Sequence, residues 1–249
     1  MKTLTINLRG PLQSYGDEAA FTRRTSTDYP RKSAIVGLLA AALGYHRDDA
    51  RINELNKVRF AVRVDQPGEP LTDLHTVEWK RNSRKLTYRT YLQDAVFVVA
   101  VSADDQLIDR LEHALHHPKF QLYLGRKANV PAGVLTTHQY DEGNPLTVLQ
   151  GLEWQAAAWY QLRKQRQRQI RLDIIADAGL IEGQREWMVA DNVESFDQRH
   201  RSFNFRAVKQ TAVEVDNPYY QDRGTETSTM RLARWVRKGS SYVSLKSTN

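Results

Sequence analysis

The chain has no cysteine among its 249 residues. That removes disulfides, cysteine zinc sites and a cysteine nucleophile, and it fits a cytoplasmic protein. Long apolar runs are also missing. The longest, residues 34–43, is too short to cross a bilayer, so no membrane partner is expected. The first residues, Met1-Lys2-Thr3-Leu4-Thr5-Ile6, alternate like a strand and lack the apolar centre of a signal peptide. No lipid-anchor signal, internal repeat or long low-complexity tract is present. Catalytic signatures are scarce: there is no HExxH, paired-carboxylate or Ser/His/Asp arrangement, and no metal-ligand spacing, so no cofactor or metal is expected. His46 beside Tyr45, His75, and His138 with Tyr140 are the remaining candidates for a general base acting on a 2′-hydroxyl, although lone histidines are more often surface or core residues. Acidic side chains are in short supply too, 29 against 36 Lys and Arg, for a net charge of +7. That excess favours a polyanion (RNA, DNA or an acidic membrane surface), or else it serves solubility in a basic enzyme.

The pattern predicts an α+β chain. Leu4, Ile6 and Leu8 alternate, which makes residues 2–9 a strand ended by Arg9-Gly10-Pro11, with a polar loop following. Ser33 is the expected N-cap of a small, apolar, buried helix over residues 34–44, and Gly44 its stop. Asp48 is the expected cap of a short helix through Leu55. Residues 58–64 and the β-branched run 95–101 read as strands. Asp104 caps a helix to about His116, and Phe120, Leu122 and Leu124 alternate as a further strand. Strand, helix, strand, basic insertion, strand, helix, strand over residues 1–124 fits a ferredoxin-like βαββαβ unit. Residues 144–152 read as a short helix, 157–169 as helix or hairpin, and 172–176, 186–190 and 203–215 as strands. The division expected is residues 1–133 against a smaller β-rich subdomain over 134–249, polar and frayed from Gly239.

Two tracts join a basic pair to a glycine turn: Tyr29-Pro30-Arg31-Lys32-Ser33 before the apolar helix, and Tyr123-Leu124-Gly125-Arg126-Lys127 after the expected strand. Backbone amides at a helix start, beside Arg31 and Lys32, make a phosphate site; otherwise they are a solvated pair. A left-handed Gly125 turns the chain so that Arg126 and Lys127 project from its end; the plain alternative is an ordinary hairpin turn. A third feature is the basic insertion, where Lys80, Arg81, Arg84, Lys85 and Arg89 are interleaved with Trp79, Tyr88 and Tyr91 and no acid falls among them. Cations neutralise phosphates while aromatic faces stack on bases, and so long a polar excursion between strands favours function over packing. Arg163, Lys164, Arg166, Arg168 and Arg171 form another basic run, read as a solvated helix face or a polyanion path. Arg199, Arg201 and Arg206 surround Phe203 and Phe205 in a further mixture of cations and rings.

At these same residues the chain resembles a known family. Leu8-Arg9-Gly10-Pro11-Leu12-Gln13-Ser14-Tyr15-Gly16, the helix entry at residues 29–44, Tyr88-Arg89-Thr90-Tyr91-Leu92-Gln93-Asp94-Ala95 and Tyr123-Leu124-Gly125-Arg126-Lys127 are similar, in order and spacing, to motifs of the CasD family of type I-E CRISPR Cascade complexes. The resemblance implies a ferredoxin-like domain that binds the 5′ handle of the CRISPR RNA, with residues 75–92 as a thumb-like hairpin. It puts Arg31, Lys32, Ser33, Arg126 and Lys127 at the RNA, together with the cations of the hairpin. It also implies the backbone subunit CasC and the large subunit CasA as partners, target DNA met only through the complex, and no RNA cleavage, which belongs to CasE. The rival is a metal-independent repeat endoribonuclease of the type I-C kind. Tyr45 and Lys127 would serve it, but Ala128 stands where a histidine would help. A basic protein that binds an acidic protein partner is the third expectation.

Overall fold

The computed structural model describes residues 1–19, 22–197 and 199–222. The expected fraying from Gly239 lies outside them. The first strand, β1 (Lys2–Arg9), buries both faces: Leu4, Ile6 and Leu8 point to one side, while Thr3 and Thr5 are equally covered on the other. Two short strands and their neighbour, β2 (Leu12–Gln13), β3 (Tyr15–Ala19) and β4 (Arg23–Thr27), occupy the stretch expected to be a polar loop. Alternation is weak there because the pairing, not a buried face, sets the conformation. Helix α1 (Lys32–Leu43) ends at Gly44, φ 79°. The short α2 (Ile52–Leu55) starts after Arg51 rather than Asp48, whose carboxylate caps nothing there.

Next come β5 (Arg59–Gln66), then a long hairpin of β6 (Glu69–Lys80) and β7 (Ser83–Gln93), and β8 (Val96–Ala103), buried along nearly its whole length as its β-branched run predicts. Asp104 caps α3 (Asp105–His116), its carboxylate accepting from the Leu107 amide as expected. Residues 120–124 are not a strand. Leu122 and Leu124 are buried, but the segment lies against helix α1, with Phe120 N donating to Ala41 O at 3.1 Å. The strand that pairs with β1 is instead β9 (Thr136–Tyr140). The second half adds α4 (Pro145–Gly151), α5 (Ala158–Arg163), β10 (Gln169–Asp177), β11 (Glu186–Ser195) and β12 (Ser202–Asp216).

Among the described residues the strands make two sheets. The larger has the order β11-β12-β10-β5-β8-β1-β9, every pair antiparallel. The smaller has the order β2-β7-β4-β3, with β6 on β7. Strands from either side of residue 133 share the larger sheet, because β9 pairs with β1 and β10 with β5. The expected division at that point therefore does not divide the hydrogen-bonded sheet. Helices α1 and α3 cover one face with Leu4, Phe60, Val62, Phe97 and Val99, and α4 covers the other with Ala61, Val98, Ala100 and Ile174.

A fully buried guanidinium ties this second face together. Arg63 pairs with Asp65 through Nε and Nη2, both at 2.8 Å, and donates to the carbonyls of Leu149, Leu152 and Glu153. All five donors are used, which is the condition for burying such a charge. Burial pushes the Asp65 carboxyl upward in pKa, opposed by Arg63.

Candidate nucleic-acid interface

The outer side of α1 is not fully covered. Ser33, Ala34, Gly37 and Ala41 are half-buried and floor a groove of about 760 Å³. The expectation of a helix buried all round therefore holds for one side only. The exposed side is narrow because its residues are small. The groove wall on one side is the segment after α3, through Phe120, Tyr123, Gly125 and Lys127. The loop after α1 contributes Tyr45, His46 and Arg47, and the connection between β11 and β12 contributes Phe196 and Arg201. The two basic glycine tracts, far apart in sequence, thus meet in one place.

The second tract is rigidly mounted. Leu124 N donates to Asn129 O at 2.7 Å, Asn129 N returns to Arg126 O at 2.8 Å, and Leu124 O accepts from Ser14 N at 3.2 Å. Gly125 adopts φ +88°, and a Cβ on it would lie 1.7 Å from the Ser14 carbonyl oxygen. Only glycine fits so close a crossing. Lys127 is exposed beyond this turn. Arg126 is half-buried: its guanidinium lies 4.6 Å from the Tyr91 ring centroid and donates to Arg24 O at 2.9 Å. It fastens the turn to the smaller sheet rather than projecting beside Lys127.

The first tract departs further from expectation. The N-cap position of α1 is Arg31, not Ser33, and the Lys32 amide donates to the Asp191 carboxylate at 3.0 Å. A carboxylate of the protein already takes the place expected for a phosphate at this helix start. Lys32 itself is 5% exposed, with its Nζ 3.4 Å from Asp177. It belongs to a buried set with Arg206, which bridges Asp191 at 2.7 Å and Asp177 at 2.5 Å. Burial holds the Lys32 ammonium below its usual pKa, against the pull of Asp177. Burial also opposes the Arg206 charge, but the bonds to Asp191 and then Asp177 prevail and its pKa rises. Lys32 is thus removed from the exposed site, its side chain drawn in beside Asp177, Asp191 and Arg206. Arg31 stays half-buried at the helix start, its carbonyl accepting from Ala34 and Ile35.

The hairpin cations stand apart from the groove. Lys80, Arg81 and Lys85 are exposed around the two-residue turn at Arg81 and Asn82. Across the ladder, acids absent from the linear run come into register: Glu78 lies 3.4 Å from Arg84, and Asp73 faces the half-buried Arg89. Leu74, Leu86 and Tyr88 share one exposed face of the hairpin. The run at 163–171 is split between the end of α5 and β10, so it is not a single helix face.

Arg47 and Arg201 carry charge into the groove, and neither was among the residues expected at the RNA. Arg201 lies over Phe203 at 5.1 Å and Phe196 at 5.8 Å, an arrangement foreshadowed by the mixture of cations and rings around residue 203. Tyr45 is held between Arg51, 4.1 Å from its ring centroid, and Arg110, which donates to its hydroxyl at 3.2 Å. His46 stacks edge-on against Phe120 at 5.2 Å. Among the described residues no cluster of His, Cys, Asp and Glu has the form of a metal site, and no helix is long and apolar enough to cross a membrane.

Residues 3–215 match the family described as CRISPR-associated protein (Cas_Cas5). This chain belongs to the Cas5 family. A relative described as CRISPR system Cascade subunit CasD, from Escherichia coli (strain K12), is 34% identical over 146 residues. That match takes in 50% of this chain and spans 65% of the relative's length. A solved structure described as CRISPR RNA-guided surveillance complex superposes with a TM-score of 0.70 at 26% identity, over 94% of this chain and 99% of that one. Another, described as a Cas protein, gives 0.61 at 30% identity, over 88% and 98%. The family read from the tracts near residues 8, 29, 88 and 123 is the family found.

Proposed function

We propose that this Cas5 chain is a non-catalytic, RNA-binding subunit of a cytoplasmic Cascade-type surveillance complex, holding the 5′ handle of the CRISPR RNA. The observation that carries the reading is the groove on α1, where Ser33, Lys127, Arg47 and Arg201 converge beside aromatic rings. Cations with rings between them suit an unpaired strand, phosphates to the charges and bases to the rings. The similarity to CasD and to a subunit of an RNA-guided complex supports the same reading. The four-strand order β5-β8-β1-β9, with α1 and α3 on one face, supports a ferredoxin-like core. Residues 75–92 of the hairpin serve as the thumb; it reaches the backbone subunit CasC, and CasA and target DNA join at the level of the assembled complex.

The test uses purified protein and repeat-derived RNA in EDTA. The reading expects tight binding of intact RNA, with Lys127→Ala lowering the salt slope of affinity by ~0.7. Specific cutting of the RNA would replace this reading with the endoribonuclease one, for which Tyr45, His46 and Lys127 line the same groove. Removing the hairpin tip, residues 77–85, which leaves the pairing of Tyr88 and Arg89 with β4 in place, is expected to impair assembly with the backbone subunit and leave the fold intact.

A further inference from the structure

Arg47 and Arg201 approach the groove from separate elements, one from the loop after α1 and the other at the entry to β12. Both are exposed, and among the described residues no carboxylate pairs with either. Other arginines nearby are neutralised: Arg51 by Asp49 at 2.6 Å, and Arg206 by Asp177 and Asp191. Arg201 is further fixed over Phe196 and Phe203, so its guanidinium is oriented before any ligand arrives. Partial desolvation where its guanidinium lies over the rings, and after it the charge of Arg47, holds Arg201 below the usual arginine range. Like charges brought together without a counter-ion cost free energy in the empty protein, and an anion placed between them recovers it.

We infer that Arg47 and Arg201 form a clamp for one phosphodiester of a single-stranded nucleic acid, with the adjoining base against the aromatic wall at Phe196 and Tyr123. This inference rests on the RNA-binding reading and narrows it to a shared phosphate. Tyr123 lines the same groove as Arg201, which places ring and cation in one subsite. Gly37 floors the groove beside Phe196, where a Cβ would lie 3.5 Å from the ring, in ordinary contact.

The shared phosphate makes a prediction that two independent contacts do not. In the full-length protein, Arg47→Gln and Arg201→Gln are measured singly and together against repeat-derived single-stranded RNA over a range of salt. Each single variant is expected to bind roughly tenfold more weakly or worse. The double variant is expected to bind little worse than either, and its salt slope to fall by ~0.7 in total, the value for one phosphate on a single strand. Arg201→Gln also shortens the side chain over the rings, so thermal unfolding measured alongside separates lost packing from lost contact. Losses that multiply, with a slope falling by ~1.4, overturn the clamp in favour of separate contacts. Unchanged binding in both single variants overturns it outright while the RNA-binding reading stands. A wild-type protein that does not bind the RNA overturns that reading, and the clamp with it.

Discussion

Gly125→Ala tests whether the turn carrying Lys127 is as tightly determined as the geometry requires. At φ +88° an alanine pays for a left-handed backbone, about 1–2 kcal/mol. Its Cβ would also sit 1.7 Å from Ser14 O and 2.7 Å from Ser14 C, where ordinary contact begins at 3.4 Å, so the two segments must part. Parting them breaks the Ser14 N to Leu124 O bond, worth about 1 kcal/mol net, and lifts part of the buried Leu124, worth up to about 2–3 kcal/mol. The sum is roughly 3–5 kcal/mol, which for a chain of this size lowers Tm by roughly 10 °C. Gly133→Ala is the control. It has φ +96° and nothing within 4 Å of the added atom, so only the backbone cost applies, a fall of roughly 5 °C or less. Thermal unfolding followed by circular dichroism reads both. Equal shifts in the two variants, or no shift in Gly125→Ala, would refute the close-crossing argument.

Other substitutions test separate parts of the account. Arg63→Leu strands Asp65 and three carbonyls in the interior and is expected to cost about 3–5 kcal/mol, read by urea denaturation. Gly37→Ala lies inside α1 with room for a methyl group and is expected to stabilise by about 0.5–1 kcal/mol in the same assay. Lys32→Met is expected to change stability while leaving the salt slope of RNA binding where it was; a slope that falls would return Lys32 to the interface.

The interior was largely legible in the linear pattern, and the reasons are local. The run at β8 could only be a covered strand, and Asp104 could only begin a helix facing inward with Ile108, Leu111 and Leu115. The tract at residues 120–124 misled because Leu122 and Leu124 alternate for the same reason a strand does, one side buried, yet their backbone bonds go to α1 and to Asn129. Ser33 has the chemistry of a cap, but Asp191, from a strand more than a hundred residues away, took the task. That same long-range contact buried Lys32. No spacing rule reports it, because the partners Asp177, Asp191 and Arg206 are assembled by sheet order rather than by sequence. Lys127 was readable because glycine at a forced turn announces a fixed projection. Arg126 was not, since its ring partner, Tyr91, comes from the hairpin.

The most direct measurement is photo-crosslinking of repeat-derived RNA to the full-length protein, with the attached peptides mapped by mass spectrometry. Crosslinks at residues 45–47, 120–127 and 196–201 are the predicted result. Crosslinks confined to the far side of the larger sheet, around Met188 and Phe205, would contradict the placement of the strand on α1.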